Sequence, residues 1–152
     1  MKKILVTGCN GQLGRAINKE YAGESVEIIN TDVAAGDHIV ACDITSIDEV
    51  MKLAREKKPD VIINCAAYTN VDGCEVNHDA AFKANALGPR HLAQAAEKTG
   101  ARLVHVSTDY VFSGRENGGI PQDEATIPGP ISAYGSTKLM GEKYVEQFCH
   151  RH

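Results

Sequence analysis

Near its start the chain passes from an apolar run, Ile4-Leu5-Val6, into Thr7-Gly8-Cys9-Asn10-Gly11-Gln12-Leu13-Gly14, and a helical pattern follows at once. A short aliphatic run closed by glycine is the signature of a buried strand. Leaving a strand and entering a helix within a few residues demands a tight turn, which glycine makes at little steric cost. Gly8 suits the turn and Gly11 a close approach of backbone to a ligand. Gly14, one helical turn on, lets helix and sheet draw together. The unpaired N–H groups and the dipole at a helix start attract anions. The spacing G-x-x-G-x-x-G is a variant of the dinucleotide fingerprint G-x-G-x-x-G, so a pyrophosphate is expected at this turn.

Downstream, short β-branched runs alternate with helical segments, which predicts a doubly wound parallel α/β sheet. Strands are expected at Ile4–Val6, Val26–Asn30 (ending near Asp32), His38–Ala41, Val61–Asn64 and Arg102–Ser107. Helices are expected over Gly11–Ala22, from Ser46 to about Lys57, and over His78–Lys98 with Gly100 as its stop. Ser46 and Glu49 have the spacing of a capping box, and Pro59 ends that helix. The last helix starts near Ser132 and is expected to continue to the final residue. Between these elements Ser113–Pro130, with four glycines and three prolines, is expected to be a long loop.

Asp32, closing the second strand, can accept hydrogen bonds from ribose hydroxyls, which favours NAD; Arg15, directly after Gly14, can instead meet a 2′-phosphate. The preference stays open. Tyr134 and Lys138 share a face of the last helix. Carbonyl reduction needs a proton donor, and a free phenol ionises near pH 10. A neighbouring ammonium and a positive nicotinamide ring both favour the phenolate, bringing it within reach of neutral pH. Thr108, at the expected carboxyl edge of the sheet, can hydrogen-bond a substrate carbonyl or the tyrosine oxygen.

Composition narrows the alternatives. A net charge of −4 speaks against a nucleic-acid binder. Five cysteines without a C-x-x-C pair suggest neither disulfide framework nor zinc site, and the scattered histidines suggest no metal site. Free thiols, and an apolar start too short for a leader or a membrane span, give the expectation of a cytoplasmic protein with no membrane association. Asp72 and Glu75 read as charges at a helix N-terminus.

Four segments occur in order: Thr7–Gly14, Asn64–Asp72, Ser107–Phe112 and Tyr134–Lys138. Together they resemble the extended short-chain dehydrogenase/reductases, and most closely those acting on dTDP-4-dehydro sugars. The resemblance covers essentially all of residues 1–152 and implies an NAD(P)-binding Rossmann domain. It implies that Gly11, Gln12 and Leu13 contact the cofactor pyrophosphate, that Asp43 and Ile44 face its adenine, and that Ala66, Ala67 and Tyr68 line its central part. It makes Thr108, Tyr134 and Lys138 a catalytic triad, with Thr108 and Asp109 near the sugar. Cys65 stands where such proteins commonly carry alanine.

The activity implied is NADPH- or NADH-dependent reduction at C4 of dTDP-4-dehydro-L-rhamnose to dTDP-L-rhamnose. A homodimer is among the arrangements the resemblance allows. Such proteins are about twice as long, so a substrate-capping region is expected beyond these residues, and the chain alone is expected to bind cofactor but turn over little sugar nucleotide. A non-catalytic regulatory subunit of the kind that serves methionine adenosyltransferase, keeping the fold and cofactor site, is a second reading. A third is a reductase or epimerase of another nucleotide sugar.

Overall fold

Five apolar runs pair in parallel as one sheet: β1 (Lys2–Thr7), β2 (Val26–Asp32), β3 (Ile39–Ala41), β4 (Val61–Asn64) and β5 (Arg102–His105), in the order β3-β2-β1-β4-β5. The structure is a computed structural model and describes residues 1–115 and 121–152. Leu5 lies opposite Ile29 and Ile62, and Ile62 opposite Leu103, so the register sets one row of aliphatic side chains across four strands. Residues one position away, such as Ile4, Val6, Ile28 and Ile63, point to the other face because side chains alternate along a strand.

Both faces are covered. The helices are α1 (Gln12–Glu20), α2 (Ile47–Lys57), α3 (Val71–Val76), α4 (His78–Phe82), α5 (Gly88–Thr99) and α6 (Ala133–Phe148). Val50 and Leu53 of α2, Leu92 and Ala93 of α5, and Val145 of α6 close over the Leu5 row. Ile17 of α1 packs against Ile4 and Val6 on the opposite face. Alanines 93, 95 and 96 of α5 are fully buried, so small side chains bring that helix close to the sheet. This is the expected doubly wound Rossmann architecture. After β1 the chain winds outward through β2 and β3, then returns to β4 on the other side of β1. Ligands of such sheets bind in the crevice this reversal opens at the carboxyl ends of the strands.

Several local details differ from expectation. His78–Lys98 is not one regular helix: a π-turn, Lys83–Leu87, separates α4 from α5. Pro89 has no N–H to donate and its ring crowds the carbonyl of Asn85, four residues earlier, and a wider turn relieves the clash. β5 stops at His105 rather than Ser107, because Thr108 caps a 3-10 turn, Asp109–Val111, by accepting from the Tyr110 N–H. α6 ends at Phe148, not at the last residue. Cys149 turns extended and buried, and the Arg151 carbonyl accepts from Leu103 N–H at 2.9 Å.

The capping box at α2 is half formed. Ser46 accepts from Glu49 N–H, while the Glu49 carboxylate takes the Asp43 N–H, since the Ser46 N–H is already given to the Asp43 carbonyl. Glu75 sits late in α3 rather than at its start. Of the expected loop, 116–120 lie outside the described residues. The remainder is irregular and is tied back by Gly129 N–H donating to the Val111 carbonyl.

Candidate functional site

The glycine turn joins β1 to α1 at the centre of the sheet. Gly8 has φ +63°, and a Cβ there would come within 2.8 Å of the Ala66 backbone; one at Gly14 would come within 2.6 Å of the Gly8 carbonyl oxygen. Neither position has room for a side chain. The turn also leaves donors free. α2 and α6 begin on serines whose hydroxyls accept first-turn N–H groups, whereas α1 begins on Gly11 with no side-chain cap. An uncapped helix start opening onto a cavity is suited to an anion. Asp32 braces the turn: its carboxylate accepts from Asn10 N–H at 3.0 Å and from Val33 N–H at 2.9 Å.

A cavity of about 830 Å³ runs along the carboxyl ends of the strands from this turn, a size typical of small-molecule and cofactor clefts. Gly8, Gly11, Gln12, Leu13 and Gly14 form one wall, and Asp32, Asp43 and Ile44 close the end beyond β2 and β3. Ala66, Ala67 and Tyr68 line the middle with Cys65, and Tyr134 and Lys138 stand at the far end beside Val106 and Ser107. Thr108 and Asp109 do not line it. The Thr108 hydroxyl is spent locally, reaching the Asp109 carboxylate at 3.3 Å and accepting from Tyr110 N–H at 3.2 Å. Arg15 is exposed and also lies outside the lining.

Tyr134 is half-buried and its ring meets that of Tyr110 edge to face, with centroids 5.6 Å apart. Lys138 is only 3% exposed, and its Nζ donates to the Val106 carbonyl at 2.5 Å. Burial brings its ammonium down to about 8, against a smaller opposing pull from Glu142. The arrangement places a phenol and a readily titrated cation on one helix face at one end of a dinucleotide-sized cleft.

Comparison with known proteins gives this geometry a family. The model for the RmlD substrate binding domain matches residues 1–152. The chain belongs to the RmlD family. An RmlD-family relative, the dTDP-4-dehydrorhamnose reductase of Mycobacterium tuberculosis strain CDC 1551, is 38% identical over 95% of the chain and 45% of its own length. That of Escherichia coli K12 is 37% identical over 98% of the chain and 48% of its own length. A solved dTDP-4-dehydrorhamnose reductase from Clostridium acetobutylicum superposes with a TM-score of 0.91 at 50% identity, covering 98% of this chain and 50% of that one. One from Bacillus anthracis, solved in complex with NADP, has a TM-score of 0.86 at 38% identity, covering 99% of this chain and 51% of that one. The chain spans about half the length of the curated relatives it matches.

Sequence reasoning missed two residues that shape this RmlD-family site. Asn85, fully buried in the π-turn, accepts from Tyr68 N–H at 2.8 Å and donates to the Tyr68 carbonyl at 3.0 Å and the Thr137 hydroxyl at 3.3 Å. It thereby ties the cavity's middle wall to the helix that carries Tyr134. The available signal was an asparagine, a poor helix former, amid alanines and close before a proline. Glu75 accepts from Ala133 N–H at 2.6 Å, so its charge serves the start of α6 rather than that of α3. His105 behaves as a packed residue. Its Nδ1 meets the Asn64 amide at 3.0 Å, and burial, reinforced by Lys138, pushes its imidazolium down to about 3.

Proposed function

We propose that residues 1–152 are the cofactor-binding and proton-donating part of an NADPH- or NADH-dependent reductase. It acts on the C4 keto group of dTDP-4-dehydro-L-rhamnose and gives dTDP-L-rhamnose. One observation carries the proposal: a single cavity has the glycine turn and the uncapped start of α1 along one wall and Tyr134 and Lys138 at its far end. The named activity of the relatives and the NADP in the Bacillus anthracis structure support it.

The residues fit a dinucleotide, because the glycines let β1 turn tightly into α1, whose first turn has no side-chain cap and opens its N–H groups onto the cavity, where a pyrophosphate can take them. Gly11, Gln12 and Leu13 would hold the phosphates, Asp32 the adenosine ribose, Asp43 and Ile44 the adenine, and Ala66, Ala67 and Tyr68 the central part. When bound, the reduced nicotinamide supplies a hydride to the keto carbon. The Tyr134 hydroxyl gives its proton to the carbonyl oxygen, so a C–H and an O–H bond replace the C=O π bond and the phenol becomes phenolate. The Lys138 ammonium stabilises that phenolate, which a neutral lysine would not do. Thr108 orients the carbonyl or the phenol by exchanging its local bond to Asp109 for one to the substrate, and Asp109 stands beside the sugar. Further sugar-nucleotide contacts come from residues outside this domain.

The experiment has two arms. In the first, the 152-residue chain is titrated with NADPH and with NADH by cofactor fluorescence, and saturable binding of at least one is expected. In the second, NADPH oxidation with dTDP-4-dehydro-L-rhamnose is followed in a chimaera joining these residues to the C-terminal half of the Clostridium acetobutylicum relative. Tyr134→Phe should lower kcat by about 10²–10⁴-fold with little change in cofactor binding. Absence of binding to either cofactor overturns the proposal. An unchanged rate in the Tyr134→Phe chimaera would overturn the proton-donor assignment.

A further inference from the structure

Lys138 is not the only charged residue by which α6 grips the segment leading to Thr108. One turn further along the helix, the Glu142 carboxylate accepts a hydrogen bond from the Ser107 hydroxyl. Lys138 holds the preceding residue by its carbonyl, with Val106 O 2.5 Å from Nζ. Two opposite charges on consecutive turns of one helix thus hold two consecutive residues, just past the last residue of β5 and before Thr108 begins its 3-10 turn. Val106 and Ser107 line the large cavity, and Ser107 also lines a groove on its far side, shared with Glu142, Glu146 and His105. The Ser107–Glu142 contact therefore stands as the partition between the two spaces.

Resting on the reductase reading, we propose that Glu142 is a positioning residue of the site: through Ser107 it sets where Thr108 stands, and through its charge it keeps Lys138 cationic within the buried wall. Without that anion the ammonium keeps the dipole of the Val106 carbonyl but no negative charge to offset its burial. Burial penalises the charge, and the facing group on β5, His105, is held neutral and supplies no counter-charge. On α6 itself the neighbour one turn back is Tyr134, which supplies negative charge only once it has given up its proton. Glu142 is the compensating charge already in place. Glu146, further along the same helix, lines the same groove but pairs with Lys143 in solvent, which makes it a matched control.

The test uses the 152-residue chain and two NMR readouts, the side-chain titration of Lys138 and the backbone amide signals of Thr108 and Asp109. Glu142→Gln should lower the Lys138 midpoint by about one pH unit, the smallest effect typical of an opposite charge at close range. Glu142→Asp should recover part of that shift, and Glu146→Gln should leave it unchanged. Ser107→Ala should displace the Thr108 and Asp109 signals while leaving the Lys138 midpoint nearly in place, separating the mechanical role from the electrostatic one.

The inference is overturned if Glu142→Gln leaves the Lys138 midpoint within error of wild type, if Glu146→Gln moves it equally, or if Ser107→Ala leaves the Thr108 signals unmoved. A merely structural tether would alter stability without moving the lysine midpoint. Titrating the same samples with NADPH and with NADH keeps the two proposals apart. A Lys138 response without binding of either cofactor sinks the reductase reading alone, and binding without that response sinks the role of Glu142 alone.

Discussion

At the scale of single residues, Lys138 and His105 are adjacent groups that burial pushes toward their neutral forms, with consequences at opposite ends of the pH range. The lysine ammonium is brought from 10.5 to about 8, a penalty of roughly 3 kcal/mol at about 1.4 kcal/mol per pKa unit. Below pH 8 both folded and unfolded chains carry the proton and the full penalty is present. Between about 8 and 10.5 the unfolded chain binds more protons, so stability rises with pH. Lys138→Met should therefore stabilise the fold by about 1–3 kcal/mol at pH 7, an advantage that shrinks toward pH 10.5, while removing the stabilising cation beside Tyr134. Urea denaturation across that range checks it. His105 goes from 6.5 to about 3. Its contribution is whole above pH 6.5 and is lost as pH falls through about 3, because the unfolded chain takes up a proton that the folded one refuses. His105→Gln, which retains an acceptor for Asn64, should flatten acid destabilisation between pH 6.5 and 3 by a few kcal/mol.

At the scale of elements, the π-turn and α6 form one device. Pro89 frees the Asn85 carbonyl and the π-turn turns the Asn85 side chain inward. Gly141 lets α6 lie against that carbonyl, where any Cβ would collide with it. Asn85→Leu strands the Tyr68 N–H and leaves the Tyr68 carbonyl only the weak Cys74 thiol as donor. It should cost about 2–4 kcal/mol in chemical denaturation and weaken cofactor binding together with stability. Ser132→Ala removes only the α6 cap and should cost about 1 kcal/mol. A comparable loss from both substitutions would contradict the central place given to Asn85. The sequence showed the helix ends at this scale, since caps and proline stops act over three or four residues. It did not show the π-turn, because the inward turn of Asn85 is rewarded by Tyr68 and Thr137, which other elements bring.

At the scale of the whole molecule, the cavity touches loops following β1, β2, β3, β4 and β5, so a ligand within it braces the entire sheet. NADPH or NADH at about a hundred times its dissociation constant should add about 2.7 kcal/mol, raising the Tm by roughly 5–11 °C for a chain of this size. Differential scanning calorimetry with and without cofactor checks this, and a Tm that does not move with cofactor concentration would contradict it.

Short-range physics made much of the molecule readable in advance. Short aliphatic and β-branched runs marked the strands, serine caps and glycine stops marked the helices, and the spacing of three glycines marked where a phosphate is expected. These features depend on residues within a few positions of one another. What only the tertiary structure decided is what those pieces meet. Pairing of β1 with both β2 and β4 puts the turn at Gly8–Gly14 and the helix bearing Tyr134 on one crevice. Packing of α6 sets Glu142 on Ser107 and places Lys138 where water cannot solvate its charge. Burial and long-range contact are properties of the folded chain, and no local pattern encodes them.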